Sequence, residues 1–359
     1  MKIIGRALLL AIVLLTAFLL LAPTRVQPVS WNPPAAPSVL AGPYASNDRL
    51  KGIERLAVGQ GVGPETVFVA ADGRLYTGYL DGRVASFAAD GSDYRLIVNT
   101  GGRPLALALH PDGSLIVIDA WKGLLRIDTK GQMQVLSTSA NGLPFGFGDF
   151  LALDHDGTSV YFTDATAKWH FGEDQLAIIE HGGDGRLLRY EFATGKTTLL
   201  LDGLQFANGV ALAPDESYVL VNETGAYRVT RLWLKGDKAG TRETFVDNLP
   251  CFPDNLTFNG KDRYWVACPV PRDPLIDRFA DNPFVRTVMA RALTFIKMPL
   301  PHQSMALAFD LQGKLVENLQ YNAADAYTEI THVAETDQWI YFGSLVENSI
   351  GRIARPSAP

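Results

Sequence analysis

Six times along this chain, a short apolar strand leads into a turn that contains Asp and continues into a second strand rich in β-branched and aromatic residues. The turn residues are Asp72, Asp112, Asp156, Asp215, Asp262 and Asp337, which lie 40, 44, 59, 47 and 75 residues apart. Period-two strands joined by such turns form hairpins. Copies at this spacing, with room for four strands each, are typical of propeller blades. We therefore predict an all-β, six-bladed β-propeller over residues 51–356.

The last copy shows only three clear strands and ends at SIGRIA, residues 349–354. An N-terminal strand near residues 53–58 is therefore expected to complete the sixth blade and close the ring. The composition agrees with a large β core, because only 19% of residues are charged and 33 glycines supply turns. A formal net charge of −6 without any run of Lys or Arg argues against a nucleic-acid partner.

The N-terminus carries the most hydrophobic segment. Residues 7–22 contain no charge, and Lys2 and Arg6 precede them. With the residues just before it, this stretch is long enough to cross a bilayer. The leading positive charge predicts a cytoplasmic N-terminus and an exported propeller. We expect an uncleaved signal anchor over residues 1–23 and a stalk over 24–50, with a cleaved signal peptide and a secreted or periplasmic protein as the alternative.

The longest gap between copies holds an insertion in the fifth blade, residues 273–300. Phe284, Val288, Ala292 and Phe295 recur there at helical spacing, which predicts a short amphipathic helix. It could pack on the propeller rim, cover a pocket, or lean on a membrane through Arg286, Arg291 and Lys297. The two cysteines, Cys251 and Cys268, flank one hairpin, so a disulfide and two buried thiols are both open.

Polar residues recur where the first strand of each blade should begin. Glu65, Asp149 and Asn208 stand seven residues before their turn Asp, and Asp254 and Glu329 stand eight before theirs. First strands line the central channel of a propeller, so these side chains should converge at one mouth. Carboxylates and an amide, without Cys or His, suit a hard cation such as Ca²⁺ and not Zn²⁺.

These motifs also carry a family resemblance. GPETVFV around Glu65, FANGVAL around Asn208, FPDNLTF around Asp254 and the later RYWVA resemble the strictosidine synthase-like proteins, most closely their membrane-anchored adipocyte plasma membrane-associated group. More distantly they resemble gluconolactonase/regucalcin and paraoxonase propellers. The resemblance implies a calcium site on Glu65, Asn208, Asp254 and Asn255. It also implies that Asp254 acts as general base, and that Glu329 matches the glutamate that strictosidine synthase uses for proton transfer.

Two departures from the family pattern bear on the site. Many relatives begin the third blade with Asn-Asp, whereas this chain has Gly148 and Asp149, so Asp149 or water would have to replace an amide ligand. Paraoxonases place a His at the start of the second blade, where this chain has Arg103. That difference argues against chemistry driven by a His.

Three functions follow as hypotheses. The first is a membrane-anchored, Ca²⁺-dependent hydrolase of small lactones or aryl esters. The second is a condensation of an amine with an aldehyde through Glu329, as the resemblance to strictosidine synthase suggests. The third is a non-catalytic binding propeller that calcium only stabilises.

Overall fold

The computed structural model describes residues 2–296 and 301–355, in which six four-stranded antiparallel sheets follow one another along the chain. Blade 1 consists of Phe68–Val69, Leu75–Gly78, Arg83–Phe87 and Arg95–Asn99. Blade 2 consists of Pro104–Leu109, Leu115–Asp119, Gly123–Ile127 and Met133–Ser137. Blade 3 consists of Gly148–Leu153, Ser159–Asp164, Gly185–Glu191 and Lys196–Leu204. Blade 4 consists of Ala207–Leu212, Tyr218–Glu223, Arg228–Trp233 and Arg242–Val246. Blade 5 consists of Leu256–Phe258, Arg263–Ala267, Gln303–Asp310 and Leu315–Asn322. The predicted six-bladed propeller is confirmed.

Blade 6 shows how the ring closes. Its first three strands are Ile330–Glu335, Trp339–Ser344 and Ile350–Ala354, and its outermost strand is Glu54–Leu56 from the beginning of the propeller. This strand pairs antiparallel with the third, with Arg55 opposite Gly351. The closing strand predicted near residues 53–58 is therefore present, and it ties the two ends of the propeller together.

The repeated Asp has a structural role in most blades. In blades 1 to 4 its carboxylate accepts a hydrogen bond from the backbone N–H two residues later, for example from Ser114 to Asp112 at 3.0 Å. This local bond favours the turn over continued strand. In blade 5 the same role falls to Asn259, whose Oδ1 accepts from the N–H groups of Lys261, Asp262 and Arg263.

The second strand of each blade carries most of the core. Leu115–Asp119, Ser159–Asp164 and Tyr218–Glu223 are buried at every position, because each is covered on both faces by a neighbouring blade. Burial on both faces explains why these strands read as almost continuous apolar runs. The first strands are thereby held in a fixed ring around the channel.

In the part of the chain that the structure describes, four α-helices supplement the strands: α1 (Lys2–Leu21), α2 (Asp174–Glu180), α3 (Pro274–Arg278) and α4 (Pro283–Ala292). The sequence did not predict α2, a short helix flanked by glycines between the second and third strands of blade 3. Helices α3 and α4 form the expected insertion in blade 5. The basic residue Lys297 lies outside the described residues.

Helix α4 packs through a different face from the one that its apolar spacing suggested. Arg286 and Ala290 are buried, whereas Phe284 and Phe295 are 60% and 59% exposed. Arg286 can be buried because its guanidinium donates to the carbonyl oxygens of Val29, Ala280 and Ile178. The hydrogen bonds of Arg286 thus decide which face of α4 is buried, although the apolar pattern favours another face. The rings of Phe284 and Phe295 remain exposed to solvent.

The segment between α1 and the propeller lies along the propeller surface. The N–H of Val29 donates to the carbonyl of Glu180, and the N–H of Trp31 donates to that of Ala280. The indole of Trp31 also stacks on His181 at a centroid distance of 4.1 Å. Residues that the sequence suggested as a stalk are therefore fastened to α2 and to the α3–α4 insertion.

Cys251 and Cys268 form a disulfide, which decides between the two possibilities that the sequence left open. It joins the strand Cys251–Phe252, which pairs with Val270–Pro271, to the residue after the second strand of blade 5. Asp254 lies in the loop that it closes. The bridge therefore holds one wall of the channel mouth.

We expect the double variant Cys251→Ala/Cys268→Ala to lose about 3 kcal/mol of unfolding free energy, because a loop of 17 residues is no longer closed in the unfolded chain. Calorimetry of the variant and of wild type should show a Tm several degrees lower for the variant. Wild type treated with a reductant serves as the matched control and should move the same way. An unchanged Tm in both samples would contradict this role.

Candidate metal centre

The five predicted polar residues at the strand starts lie around one cavity. Glu65, Asp149, Asn208, Asp254 and Glu329 all line a cavity of about 460 Å³ at the channel mouth, and all five are buried. They come from blades 1, 3, 4, 5 and 6. Because first strands begin at the same end of a propeller, residues separated by hundreds of positions meet there.

Three of these carboxylates form a tight cluster. Glu65, Asp149 and Asp254 each present an oxygen, and these oxygens lie within 4.8 Å of one another. Glu329 lines the same cavity but stands outside the cluster. Its backbone φ of 50° lies in the left-handed region, which is uncommon for Glu and is held by the surrounding fold.

Amide side chains complete the cluster. The Nδ2 of Asn255 donates to Glu65 Oε1 at 3.0 Å, and the Asn208 side chain lies close enough to Asp254 to oppose the rise in the pKa of that carboxyl. The oxygens Glu65 Oε2, Asn208 Oδ1, Asn222 Oδ1 and Asn255 Oδ1 are buried without a hydrogen-bond partner. Buried polar atoms normally have partners. Four unpartnered oxygens in one place are what a cation with oxygen ligands would satisfy.

Burial raises the pKa of each carboxyl in this cluster. The pKa of Glu65 is raised well above its ordinary value by desolvation and by the Asp254 charge, against smaller opposing effects of Arg103 and Asn255. Desolvation, together with Glu65 and Asp254, raises the pKa of Asp149 as well. Desolvation raises the pKa of Asp254 to about 7, although the Asn208 side chain opposes the shift. Without a cation, this cluster holds its negative charge poorly at neutral pH.

Glu329 has a similarly shifted acidity. Desolvation, reinforced by Asp174 and Glu347, raises its pKa to about 7. A carboxyl with this pKa can accept or release a proton near neutral pH.

The cavity walls are mainly apolar. Among the described residues that line it, the large apolar side chains include Leu105, Phe147, Phe171, Ile178, Phe206 and Phe252. Of the Lys and Arg residues that the structure describes, only Arg272 lines the cavity, and its guanidinium is held by Asp277 at 2.8 Å, Asn248 and the Pro34 carbonyl. No His of the described chain lines the cavity. The space therefore suits an apolar acyl or aryl group above an acidic floor.

Gly148 occupies the position in blade 3 where the family resemblance predicts an amide ligand. A Cβ atom at this position would lie 2.8 Å from Ile118 Cδ1, so the neighbouring side chain occupies the space. Asp149, the next residue, belongs to the carboxylate cluster instead. An anionic oxygen is thus present on the blade that lacks the amide.

Sequence reasoning did not place Arg103 or Asn222 beside the cluster. Arg103 is buried, donates through Nη1 to the Gly63 carbonyl at 2.8 Å, and lowers the pKa of Glu65 by its charge. Asn222 donates through Nδ2 to the carbonyl oxygen of Asp254 at 2.5 Å and keeps its Oδ1 free. A search that included the ends of second strands, and not only the starts of first strands, would have found Asn222.

Gly209 allows blade 4 to approach the Asp254 loop. Its N–H donates to the Asp254 carbonyl at 3.1 Å, and a Cβ atom there would lie 2.0 Å from the Leu256 nitrogen. We expect Gly209→Ala to lose about 1–3 kcal/mol of unfolding free energy, because the added methyl group would collide with the backbone of the Asp254 loop. Calorimetry tests this expectation. Gly225→Ala is the control, because its nearest contact would be 3.3 Å, and equal effects in both variants would contradict the local argument.

Comparisons with known proteins agree with this architecture. The strictosidine synthase family profile matches residues 149–237, and the profile of the strictosidine synthase-like N-terminal region matches residues 42–87. Solved structures with the same fold include a gluconolactonase from Xanthomonas campestris, with a TM-score of 0.61 and 16% identity over 94% of this chain and 99% of that one. A calcium-binding regucalcin from Agrobacterium tumefaciens has a TM-score of 0.56 and 14% identity over 84% and 90% of the two chains. At these identities the similarity shows the fold alone.

The sequence relatives are closer. The adipocyte plasma membrane-associated protein of Rattus norvegicus is 33% identical in an alignment of 374 positions, gaps included, which covers 98% of each chain. The alignment therefore includes the N-terminal helix, the insertion and all six blades. This chain belongs to the strictosidine synthase-like family, in the group of the adipocyte plasma membrane-associated proteins.

Proposed function

We propose that this protein is a membrane-anchored, calcium-dependent hydrolase of lactones or aryl esters. The observation that carries the proposal is the cluster of Glu65, Asp149 and Asp254 at the floor of an apolar cavity, with unpartnered amide oxygens beside it. The names of the gluconolactonase and regucalcin neighbours agree with it as analogy.

The donor set fits Ca²⁺. Carboxylate and amide oxygens are the ligands that this ion prefers, and it takes about six to eight of them. Glu65, Asn208, Asp254 and Asn255 would hold the ion, with Asp149 as a further oxygen donor. When bound, Ca²⁺ would supply a Lewis acid that polarises the carbonyl of the ester or lactone.

The protein's own residues would do the rest. Asp254 lines the cavity and would take a proton from the attacking water, then return that proton to the oxygen of the leaving alcohol. The rings of Phe147 and Phe252 line the cavity and would hold the acyl or aryl part of the substrate while excluding bulk water. Attack on the carbonyl carbon and cleavage of its C–O bond would yield a hydroxy acid from a lactone.

Helix α1 would anchor the enzyme. Its residues Ile3–Leu21 have a mean hydropathy of 2.6, and none of that stretch is buried against the propeller. With Lys2 and Arg6 on the leading side, the N-terminus would stay in the cytoplasm and the propeller would face the extracytoplasmic side.

The test is hydrolysis of a panel of γ- and δ-lactones and phenyl esters by the full-length protein in detergent, before and after chelation with EGTA. We expect turnover that EGTA abolishes and that added Ca²⁺ restores. Full activity after chelation would refute the calcium-dependent mechanism. Calcium-dependent melting without turnover of any substrate would instead select the non-catalytic binding propeller.

One observation favours a second reaction, the condensation of an amine with an aldehyde. Glu329 lines the cavity, its pKa is raised to about 7, and the strictosidine synthase profile matches part of the chain. This chemistry would leave the carboxylate cluster without a use. Product formation from an amine and an aldehyde that Glu329→Gln abolishes would establish it.

A further inference from the structure

The two ends of the propeller differ in the polarity of their surfaces. The cavity end is where first strands begin and second strands finish, as the pairing of Pro104 with Asp119 and of Ile330 with Ser344 shows. The opposite end carries the six Asp-containing turns that follow the first strands. In those turns, all of which the structure describes, no large hydrophobic side chain is exposed.

At the cavity end, exposed apolar side chains occur on blades 1, 2, 5 and 6. Leu80, Trp121 and Val346 follow the second strands of blades 1, 2 and 6, and are 49%, 54% and 45% exposed. On the blade 5 insertion, Leu275 and Phe284 are 52% and 60% exposed, and Phe295 just after α4 is 59% exposed. We call these six residues the apolar rim.

Other exposed apolar residues do not follow this pattern. Leu96, Val135 and Val316 lie on outermost strands, around the side wall of the propeller. Single exposed apolar side chains are ordinary on a protein surface, whereas several around one opening indicate an interaction site.

Helix α1 meets the propeller at this same end. Arg291 of α4 donates through Nη1 to the carbonyl oxygens of Leu19 and Leu20, at 2.9 and 2.8 Å. The ring of Phe18 packs edge-on against Phe295 of the apolar rim at a centroid distance of 5.0 Å. The last turn of α1 is therefore fixed beside the cavity opening. If α1 spans a membrane, the surface of that membrane would lie next to the apolar rim.

We propose that the apolar rim rests on the surface of the phospholipid bilayer that α1 spans, so that the cavity opens toward lipid. Among the possible partners of this surface, the contacts favour the bilayer, because Phe18 of α1 packs directly against Phe295 of the apolar rim. A set of exposed aromatic and aliphatic side chains is suited to the membrane interface between lipid headgroups and acyl chains. Substrates would then enter from the membrane, which selects apolar molecules that partition into it. The inference rests on the proposed anchoring by α1 and not on the reaction.

The test uses single introduced cysteines, because both native cysteines are joined in the disulfide. Full-length Trp121→Cys, Val346→Cys, Lys130→Cys and Val13→Cys are labelled with an environment-sensitive fluorophore and placed in phosphatidylcholine nanodiscs containing nitroxide-labelled lipid. We expect quenching of about twofold or more at Trp121→Cys and Val346→Cys. Lys130→Cys, in an exposed turn at the opposite end of the same blade as Trp121, should remain unquenched.

The label at Val13→Cys separates the two proposals. If this label is quenched while the labels at Trp121→Cys and Val346→Cys are not, then α1 is inserted but the propeller does not touch the bilayer. This result would overturn the inference. Absence of quenching at Val13→Cys refutes the anchoring itself, and the inference with it. Adding Phe284→Glu to the Val346→Cys protein should reduce quenching at residue 346, and an undiminished signal there would also contradict the rim.

Discussion

Asp254→Asn is expected to lower lactone or ester turnover by on the order of a thousandfold. The substitution keeps the size of the side chain and removes the charge that would both bind calcium and take a proton from water. Asp254 is buried in the carboxylate cluster, where its oxygen lies within 4.8 Å of those of Glu65 and Asp149. Steady-state kinetics at saturating Ca²⁺ measure the loss.

Asp156→Asn is the matched control, since it makes the same chemical change in an exposed turn far from the cavity. It should leave turnover at the wild-type value. An unaltered rate in Asp254→Asn would refute its role as base. If Asp254→Asn remains active while Glu329→Gln loses hydrolysis, the base is Glu329, whose carboxyl lines the same cavity.

Calcium is expected to raise the Tm of the metal-free protein by about 5 to 10 °C at pH 8. A ligand at a thousandfold excess over its Kd stabilises by about 4 kcal/mol, and for a domain of this size each kcal/mol is worth roughly 2 °C. The ion would also remove the repulsion within the carboxylate cluster. The measurement is calorimetry with EGTA or with added Ca²⁺, with Mg²⁺ as the control ion.

The same effect should depend on pH in a defined direction. The metal-free folded protein holds protons that the unfolded chain has lost, because burial raises the pKa of Asp254 to about 7 and raises those of Glu65 and Asp149. Its stability should therefore fall as pH rises from about 4 through 7, by on the order of 4 kcal/mol for one such carboxyl. Calcium should abolish this fall, and its own stabilisation should diminish below pH 7 as protons compete for the ligands. A Tm shift with Ca²⁺ that is equal at pH 5 and pH 8 would contradict binding by this cluster.

Much of the fold could be predicted from the chain because propeller blades repeat a local pattern. Strand alternation and turn chemistry act over a few residues, so the six hairpins were recognisable, and the incomplete last blade implied the closing strand Glu54–Leu56. Short helices are less predictable, and α2 was missed. The packing face of α4 was also missed, because Arg286 is buried through bonds to distant carbonyls that no local pattern contains.

The residues of the candidate site also fall into two groups, those that the sequence could predict and those that it could not. Glu65, Asn208 and Asp254 could be selected by their offset from the turns, since that offset follows the period of the blade. Asn222 lies at the end of a second strand, where that offset does not reach, and Arg103 follows no such period. Their relation to Asp254 and Glu65 depends on which atoms meet across blades, and only the assembled ring shows that.

The sequence by itself determined the repeat, the number of blades, the apolar N-terminal segment and the acidic residues at the strand starts, because each depends on contacts within about one blade. The tertiary structure decided which carboxylates form a cluster, which amide oxygens are left unpartnered, that Cys251 and Cys268 pair, and where α1 meets the propeller. Apart from the disulfide, which closes a short loop, these properties arise between residues far apart in the chain. Ring closure brings such residues together at one end of the channel, and the distances that define a site exist only after it.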